Sequence, residues 1–217
     1  ALEIMRSQLT PTFLNLFNGA PFTESSNRRP DEKGTEMIGL DGHPEAVKWQ
    51  IDQVRSIAKQ NGGVGVEVYE GERQRALRSA IRAFPEGSWA PRHTICKANL
   101  RMTDVEEFIN AALAFGNELQ GPVQVMGLMG NGIVYVAFSN VSKATDQVQS
   151  VASAIARLRD NARGVGGNLI VESAPTKLKR QIDVWGPIGN SLGLMKQIKA
   201  KLDPVGMLNP GRFVAGI

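Results

Sequence analysis

The sequence predicts an α+β protein with a ferredoxin-like (split β-α-β) fold, in which helices cover an antiparallel-rich sheet. Between residues 93 and 173, segments with strand and helix periodicity follow one another in the order β-α-β-β-α-β. The two middle strands are joined through Gly130-Asn131-Gly132, a sequence typical of a tight hairpin. No stretch of the 217 residues has the composition of an inter-domain linker, so we expect residues 1–217 to form one domain.

The first part of the chain predicts a smaller unit. Residues 35–42 form a short apolar run that ends in Asp-Gly, which indicates a strand. An amphipathic helix then begins at Pro44, where the missing N–H is tolerated in the first turn. Residues 64–71 alternate and predict a second strand, followed by a helix over 72–83, so residues 35–83 are expected to form a β-α-β unit. The polar stretches at 23–34 and 84–91 are predicted to be loops.

The second part repeats this order more fully. Residues 93–101, HTICKANLR, predict a strand, and the helix after it begins near Thr103. A long helix over about 143–161 and a last strand at 166–173 complete the pattern. The buried stripes of the two helices are expected to be Val105, Phe108, Ile109, Ala112 and Phe115 in the first, and Val148, Val151, Ile155 and Leu158 in the second.

The composition is that of an ordinary globular protein. Apolar residues make up 42% of the chain, and 25 basic against 21 acidic residues leave a net charge of +4. The lone Cys96 excludes an internal disulfide framework, and no apolar run approaches the length of a membrane span. The chain begins with Ala1 rather than methionine. Two interpretations stay open: a processed form, and a piece of a longer protein.

Most kinds of reactive site are disfavoured. The two histidines, His43 and His93, are far apart in the sequence, and Cys96 lies on the strand face opposite His93, so no metal site is predicted. Cys96 falls on the apolar face of its strand, where it is expected to be a small buried hydrophobe rather than a nucleophile. The glycine-rich stretches precede strands, whereas a dinucleotide-binding loop lies between a strand and a helix.

Nucleic-acid binding is also disfavoured. A helical segment carries several arginines, but acidic residues flank it and no aromatic residues alternate with them for base stacking. A solvated helix face explains the pattern better, although the basic excess could also attract an anionic substrate or partner. These arginines are Arg73, Arg75, Arg78 and Arg82.

One set of polar side chains remains. Alternation in the strand at 93–101 is expected to place Lys97, Asn99 and Arg101 on one face together with Ile95. Such a face could be an ordinary solvent-facing sheet surface, or it could be covered by a cofactor or an anionic ligand. The opposite face is expected to carry Thr94, Cys96, Ala98 and Leu100.

The C-terminal sequence LMKQIKAKLDPVGMLNPGRF resembles the end of FAD-linked oxidases of the vanillyl-alcohol oxidase type. Further blocks look like the C-terminal half of the FAD-binding subunits of glycolate oxidases, so the resemblance runs from about residue 1 to 215. These blocks are IGLDGHPEAVKWQIDQVRSIA, ICKANLRMTDVEEFI, GLMGNGIVYV and GGNLIVESAPTKLKRQIDVWG. The tail residues that fit the family pattern are Leu202, Asp203, Pro204, Gly206, Leu208, Asn209, Pro210, Gly211 and Arg212.

The resemblance implies that this chain is the cap half, which folds over the flavin ring and helps to form the substrate cavity. In the family, FAD is held by glycine-rich loops of an N-terminal domain absent from this chain, so the isolated chain is not expected to bind FAD. The full-length protein is expected to contribute to oxidation of a 2-hydroxy acid, glycolate to glyoxylate. The expected cofactor-binding residues are Asn209 and Arg212 in the tail and Lys97, Asn99 and Arg101 on the strand.

The resemblance also implies partners and a location. The expected partners are sister subunits of a glycolate oxidase complex, including an iron–sulfur subunit, and the expected location is cytoplasmic, peripheral to the inner membrane through the complex. Related D-2-hydroxy-acid dehydrogenases have a histidine-bearing block where this chain has GLMGNG, so a role in electron relay or assembly stays open. A non-enzymatic ferredoxin-like module that forms a subunit interface or binds a small ligand is the alternative, and an RNA-binding module is disfavoured by the missing aromatic platform.

Overall fold

The computed structural model describes residues 1–18, 34–83, 94–119, 123–138 and 145–217. The loops predicted at 23–34 and 84–91, apart from Gly34, and His93 lie outside the described residues. The strands are β1 (Phe13–Phe17), β2 (Thr35–Gly39), β3 (Thr94–Asn99), β4 (Val123–Leu128), β5 (Ile133–Phe138) and β6 (Asn168–Ser173). The helices are α1 (Leu2–Arg6), α2 (Pro44–Gln60), α3 (Gly71–Arg82), α4 (Val105–Leu119), α5 (Thr145–Gly164), α6 (Thr176–Lys179) and α7 (Leu192–Leu202), with short 3₁₀ turns at Met102–Asp104, Gly189–Ser191 and Val214–Gly216. Among these helices, none combines the length and the apolar composition needed to cross a membrane.

The strands form one antiparallel sheet in the order β2-β1-β4-β5-β3-β6. The four strands from β3 to β6, with α4 and α5 between them, lie in the order β4-β5-β3-β6, which is the ferredoxin-like arrangement. β1 and β2 extend this sheet beyond β4. The predicted α+β fold class is therefore confirmed.

The β4–β5 hairpin closes where the sequence predicts it. Leu128 pairs with Ile133, and the tight turn between them contains Gly132 at φ +67°, a left-handed conformation that suits glycine. A Cβ at Gly132 would also lie 2.1 Å from the carbonyl oxygen of Leu100. That close approach holds the hairpin against the end of β3, since the Leu100 N–H donates to the Gly132 carbonyl at 2.8 Å.

The core lies between one face of the sheet and the helices. The predicted stripes of α4 and α5 are buried, which confirms both, and they pack with the inward-facing residues of β3 and β5. Helix α2 joins the same core through Val54, with Ile57 packed beside it. The inward-facing strand residues are Cys96, Ala98, Val134 and Val136.

Two predictions for the first part of the chain are wrong. Residues 64–70 alternate in sequence but form no strand, and Val64 is 87% exposed. The predicted β-α-β unit at 35–83 therefore does not form, because its second strand is missing; β2 pairs with β1. Alternation alone does not make a strand, which also needs a hydrogen-bonded neighbour, and no described strand pairs with this segment.

Candidate functional site

Lys97 lies near the middle of the sheet face opposite α4 and α5. It is paired in register with Tyr135 on β5 and with Ile170 on β6. Its Nζ atom lies 5.6 Å from the centroid of the Tyr135 ring and 3.6 Å from Glu172 Oε1. The side chains of Lys97 and Glu172 are 27% and 36% exposed, so this ion pair is partly shielded from water. The face thus presents a cation between an aromatic ring and a carboxylate.

Asn99 lies on the same face, two residues along β3. Its Nδ2 donates to Oδ1 of Asn168 on β6 at 2.8 Å. Because side chains alternate along a strand, the predicted shared face of Lys97 and Asn99 is confirmed. Together with Glu172 and Tyr135, they form a polar row that we call the sheet-face site, defined by Lys97, Asn99, Tyr135, Asn168 and Glu172.

The prediction that Arg101 shares this strand face is wrong. β3 ends at Asn99, and the chain turns into the 3₁₀ turn at Met102–Asp104. Arg101 flanks that turn, and its Nε lies 2.6 Å from Asp104 Oδ2. The strict alternation of a strand no longer applies there, so Arg101 is not part of the sheet-face site.

Three members of the sheet-face site were not predicted from the sequence. Tyr135 alternates with Ile133 and Ala137, and Glu172 lies two residues after Ile170. Period-two spacing could therefore have placed each residue on a face of its own strand. Only the pairing of β3 with both β5 and β6 places these faces side by side, and the sequence analysis did not predict that register.

The floor of this face is apolar next to Lys97. Ile95 and Ala137 are buried and form a small cluster with Tyr135, separate from the core beneath the helices. Because Ile95 and Ala137 are 6% and 0% exposed, Tyr135 is the member of this cluster that a planar or anionic ligand could contact, beside amide groups and a cation. Lys97 can supply a positive charge, and the Asn99 and Asn168 amides can supply hydrogen bonds.

Cys96 faces the other way, into the core, as predicted. It is fully buried, and burial raises the pKa of its thiol to about 12. The thiol therefore stays protonated and behaves as a small hydrophobe. Within the described parts of the chain, no three His, Cys, Asp or Glu side chains converge as a metal site would require.

The C-terminal turn is built around Asp203, the residue that ends α7. Its carboxylate accepts hydrogen bonds from the Lys199 ammonium at 2.5 Å and from the backbone N–H groups of Met207 and Leu208, each at 2.9 Å. Lys199 also donates to the Leu208 carbonyl at 2.6 Å. These bonds hold the pKa of Asp203 at about 2, with the Lys199 bond as the largest cause. We call this arrangement the Asp203 clamp, defined by Lys199, Asp203, Met207 and Leu208.

Beyond the clamp, Asn209 to Arg212 form a second turn. The Arg212 N–H donates to the Asn209 carbonyl at 3.1 Å. Pro210 and Gly211, the latter at φ +69°, occupy the two central positions, as in a type II turn. The side chains of Asn209 and Arg212 are exposed and make no hydrogen bond or ion pair with a described residue. The turn therefore presents both polar groups outward.

The tail is attached to the β6 edge of the sheet. The Phe213 ring meets the Trp185 ring edge to face, with 5.2 Å between centroids. The segment before Trp185 runs along β6, where the Val171 N–H donates to the Val184 carbonyl at 2.8 Å. Among the described residues, no hydrogen bond or ion pair joins Asn209 or Arg212 to the sheet-face site. The five residues predicted to bind a cofactor thus fall into a strand pair, a tail pair and Arg101, which is paired with Asp104.

Comparison with curated proteins finds two relatives whose names state an enzyme activity. The chain is 22% identical over 188 residues to the "Glycolate oxidase subunit GlcD" of Bacillus subtilis (strain 168), a match that covers 84% of this chain and 40% of that protein. It is 26% identical over 190 residues to the "Probable D-lactate dehydrogenase, mitochondrial" of Danio rerio, covering 83% of this chain and 37% of that protein. The chain thus spans about two fifths of the length of the curated relatives it matches.

A family comparison covers almost the whole chain. The family described as "FAD linked oxidases, C-terminal domain" matches residues 1–213, a range that includes β1 to β6, the sheet-face site and the C-terminal turn. This match agrees with the resemblance of the tail and with the observed α+β fold. The chain therefore belongs to the family of C-terminal domains of FAD-linked oxidases.

Proposed function

We propose that this chain is the cap domain of an FAD-linked oxidase that acts on a 2-hydroxy acid, with glycolate as the first candidate substrate. The observation that carries the proposal is the sheet-face site, where Lys97 lies beside Tyr135 and Asn99 is bonded to Asn168 on the same face of the sheet. The two relatives support the substrate class, since one is named a glycolate oxidase subunit and the other a probable D-lactate dehydrogenase. Both names refer to acids with a hydroxyl group beside the carboxylate.

The sheet-face site fits a flavin enzyme of this kind. The Tyr135 ring, which packs on the buried Ile95 and Ala137, is half-buried and can contact one side of a planar ring. Bound FAD would supply the two-electron acceptor for oxidation at the carbon that bears the hydroxyl group. In our proposal FAD belongs to the full-length protein, and its phosphates are held outside this chain.

Lys97 would bind the carboxylate of the substrate. Its ammonium is partly shielded from water, so it attracts an anion more strongly than a fully exposed lysine does. Glu172 would orient the ammonium when no substrate is present, and the substrate carboxylate would then share or replace that contact. Asn99 and Asn168 would hold the substrate or the ring edge by hydrogen bonds.

We also propose that the full-length protein works in a glycolate oxidase complex with sister subunits, one of them an iron–sulfur subunit, at the cytoplasmic side of the inner membrane. The name of the Bacillus subtilis relative, which calls it a subunit, supports an assembly of this kind. In the tail, Asn209 and Arg212 would contact the flavin-binding part, because both side chains point outward from a fixed turn.

The test uses the full-length protein purified with its flavin. Glycolate, D-lactate and L-lactate are each added without oxygen, and the bleaching of oxidised flavin is followed. We expect at least one of these acids to reduce the flavin. A flavin that none of the three acids reduces would overturn the proposed activity.

A matched pair of variants tests the role of Lys97. Lys97→Met is expected to raise the KM for the acid by about 10- to 100-fold, which corresponds to the loss of one charge-assisted hydrogen bond, with flavin content unchanged. Lys48→Met, which removes an exposed lysine of α2, is the control and should leave KM unchanged. An unchanged KM in Lys97→Met would show that the carboxylate binds elsewhere.

A further inference from the structure

Glu172 lies at an irregularity in the pairing of β3 with β6. The β3 neighbours Cys96 and Ile95 pair with Val171 and Ser173, and the residue between these two has no pairing residue on β3. Glu172 is therefore the extra residue of a β-bulge. Bulges are frequent beside active sites, where the extra residue changes the direction of a side chain. Here the Glu172 carboxylate lies 3.6 Å from the ammonium of the sheet-face site.

The sheet-face site contains one charge of each sign. Residues paired in register share a face of the sheet, so the strand pairs show which side chains lie on the same face as Lys97. On β1, β2, β4 and β5 none of these residues is Asp, Glu, Lys or Arg. Among the described strand residues, Lys97 and Glu172 are therefore the charged groups of this face, and their charges cancel.

This pair of groups matches the two polar groups of a 2-hydroxy acid. Such an acid has a carboxylate and, on the next carbon, a hydroxyl group. The separation of 3.6 Å between Lys97 and Glu172 is longer than a hydrogen bond, so the ammonium keeps donors for the carboxylate of a ligand. The Glu172 carboxylate can only accept hydrogen bonds, and it can accept one from the hydroxyl group.

A second carboxylate on the ligand would meet a different environment. Lys97 is already shared between Glu172 and the first carboxylate, so the second one would add a negative charge that no described strand residue on this face balances. Like charges a few ångströms apart repel each other, and the repulsion is stronger where water is partly excluded. The site is therefore suited to a ligand with one carboxylate.

We propose that Glu172 is a specificity-determining residue, which restricts the sheet-face site to monocarboxylic 2-hydroxy acids and excludes dicarboxylic ones. The inference rests on the proposed function for the place where the substrate binds. It goes beyond that function because it assigns a charge class to the substrate and a residue that selects it. Glycolate and lactate both belong to this class.

The test measures binding, so that it does not depend on the oxidation. In 2-hydroxyisobutyrate and in 2-hydroxy-2-methylmalonate, the carbon that bears the hydroxyl group has no hydrogen, so a flavin cannot oxidise either acid there. The two acids differ only in that a carboxylate replaces one methyl group. Their Kd values for the full-length protein with its flavin are measured by calorimetry at neutral pH, where all their carboxyl groups are ionised. We expect the wild type to bind the monocarboxylic acid more tightly by about tenfold or more.

Three variants assign this preference to a charge. Glu172→Gln keeps the size and an acceptor oxygen but removes the charge, so the ratio of the two Kd values is expected to fall to about threefold or less, mainly through tighter binding of the dicarboxylic acid. Glu172→Asp keeps the charge and should keep the preference. Glu106→Gln removes an exposed carboxylate of α4, on the other side of the sheet, and should keep the wild-type ratio.

A purely structural role for Glu172 predicts a different result. In that case Glu172→Gln would weaken the binding of both acids equally and leave their ratio unchanged, which would overturn the proposal. A wild type that binds both acids equally tightly, or binds neither, would also overturn it. The same holds if Glu106→Gln loses the preference to the same extent as Glu172→Gln.

This inference and the proposed activity fail in different ways. If the preference depends on Glu172 but no 2-hydroxy acid reduces the flavin, the assignment of Glu172 stands and the activity does not. If a 2-hydroxy acid reduces the flavin while the ratio of Kd values does not depend on Glu172, the activity stands and the assignment of Glu172 does not.

Discussion

Asp203 organises the end of the chain through one carboxylate. The bond from Lys199 lowers its pKa most, and the N–H groups of Leu208 and Met207 lower it further, to about 2. Each of these bonds is stronger to the ionised form, so the folded turn favours the carboxylate over the acid. In the sequence, Asp203 precedes Pro204, and this Asp-Pro pair predicts the end of the helix and a turn. It does not predict the hydrogen bonds.

The lowered pKa predicts how the turn responds to acid. Because the folded pKa lies below the ordinary value of 3.8, the contribution of Asp203 to stability is present above about pH 4 and is lost as the pH falls through about 2. We expect the amide resonances of Met207 and Leu208 to titrate with an apparent pKa of about 2. Asp203→Asn should abolish that titration, and an apparent pKa near 3.8 in the wild type would contradict the clamp.

Among the secondary-structure elements, the β4–β5 hairpin depends on a close approach between its turn and the end of β3. Gly132 has a left-handed conformation, and a side chain there would collide with the Leu100 carbonyl. Leu100 directly follows β3, at the point where the chain turns toward α4. Local turn chemistry and strand packing therefore impose the same residue at this position.

Gly132→Ala is expected to destabilise the protein by about 2 kcal/mol or more, since it adds backbone strain to a collision with fixed backbone. Gly130→Ala is the control, because Gly130 has open space around it and no positive φ. It should change stability by less than about 1 kcal/mol. Urea unfolding of both variants measures the difference, and equal midpoints would contradict the close approach.

For the whole molecule, the core of the described residues lies between the helices and one sheet face, and both proposed functional surfaces lie outside it. The sheet-face site lies opposite α4 and α5, and the C-terminal turn is attached at the β6 edge. The helices and inward strand faces bury the core without help from either surface. Changes at these surfaces are therefore expected to affect assembly and ligand binding more than folding.

The isolated chain is expected to purify without FAD and to oxidise no 2-hydroxy acid. In our proposal the phosphates of FAD are held outside this chain, and the sheet-face site alone offers one cation and two amides to a large cofactor. The flavin absorbance of the purified chain is the measurement. Stoichiometric flavin would contradict this prediction.

Arg212→Ala in the full-length oxidase is expected to lower flavin content or weaken subunit assembly while this domain's own fold is retained. The guanidinium makes no ion pair with a described residue, so its planar donors are available to a carboxylate or phosphate of a partner. Arg82→Ala, at another exposed arginine, is the control. Flavin content and complex formation at wild-type values would assign Arg212 to a solvated turn.

The sequence by itself determined the parts that depend on neighbours along the chain. The stripes of α4 and α5 followed from helical spacing, the hairpin followed from Gly130-Asn131-Gly132, and the shared face of Lys97 and Asn99 followed from alternation. Burial of one helix face and the side-chain geometry of a strand are local properties, so local patterns carry them.

Only the tertiary structure decided which strands meet. β1 was not predicted, residues 64–70 alternate without a partner, and Arg101 lies beyond the point where β3 ends. Tyr135 and Glu172 join Lys97 because β3 pairs with strands that lie far from it in the sequence. Strand pairing is settled by competition for edges across the whole chain, and a short segment contains no information about the edge that it will find.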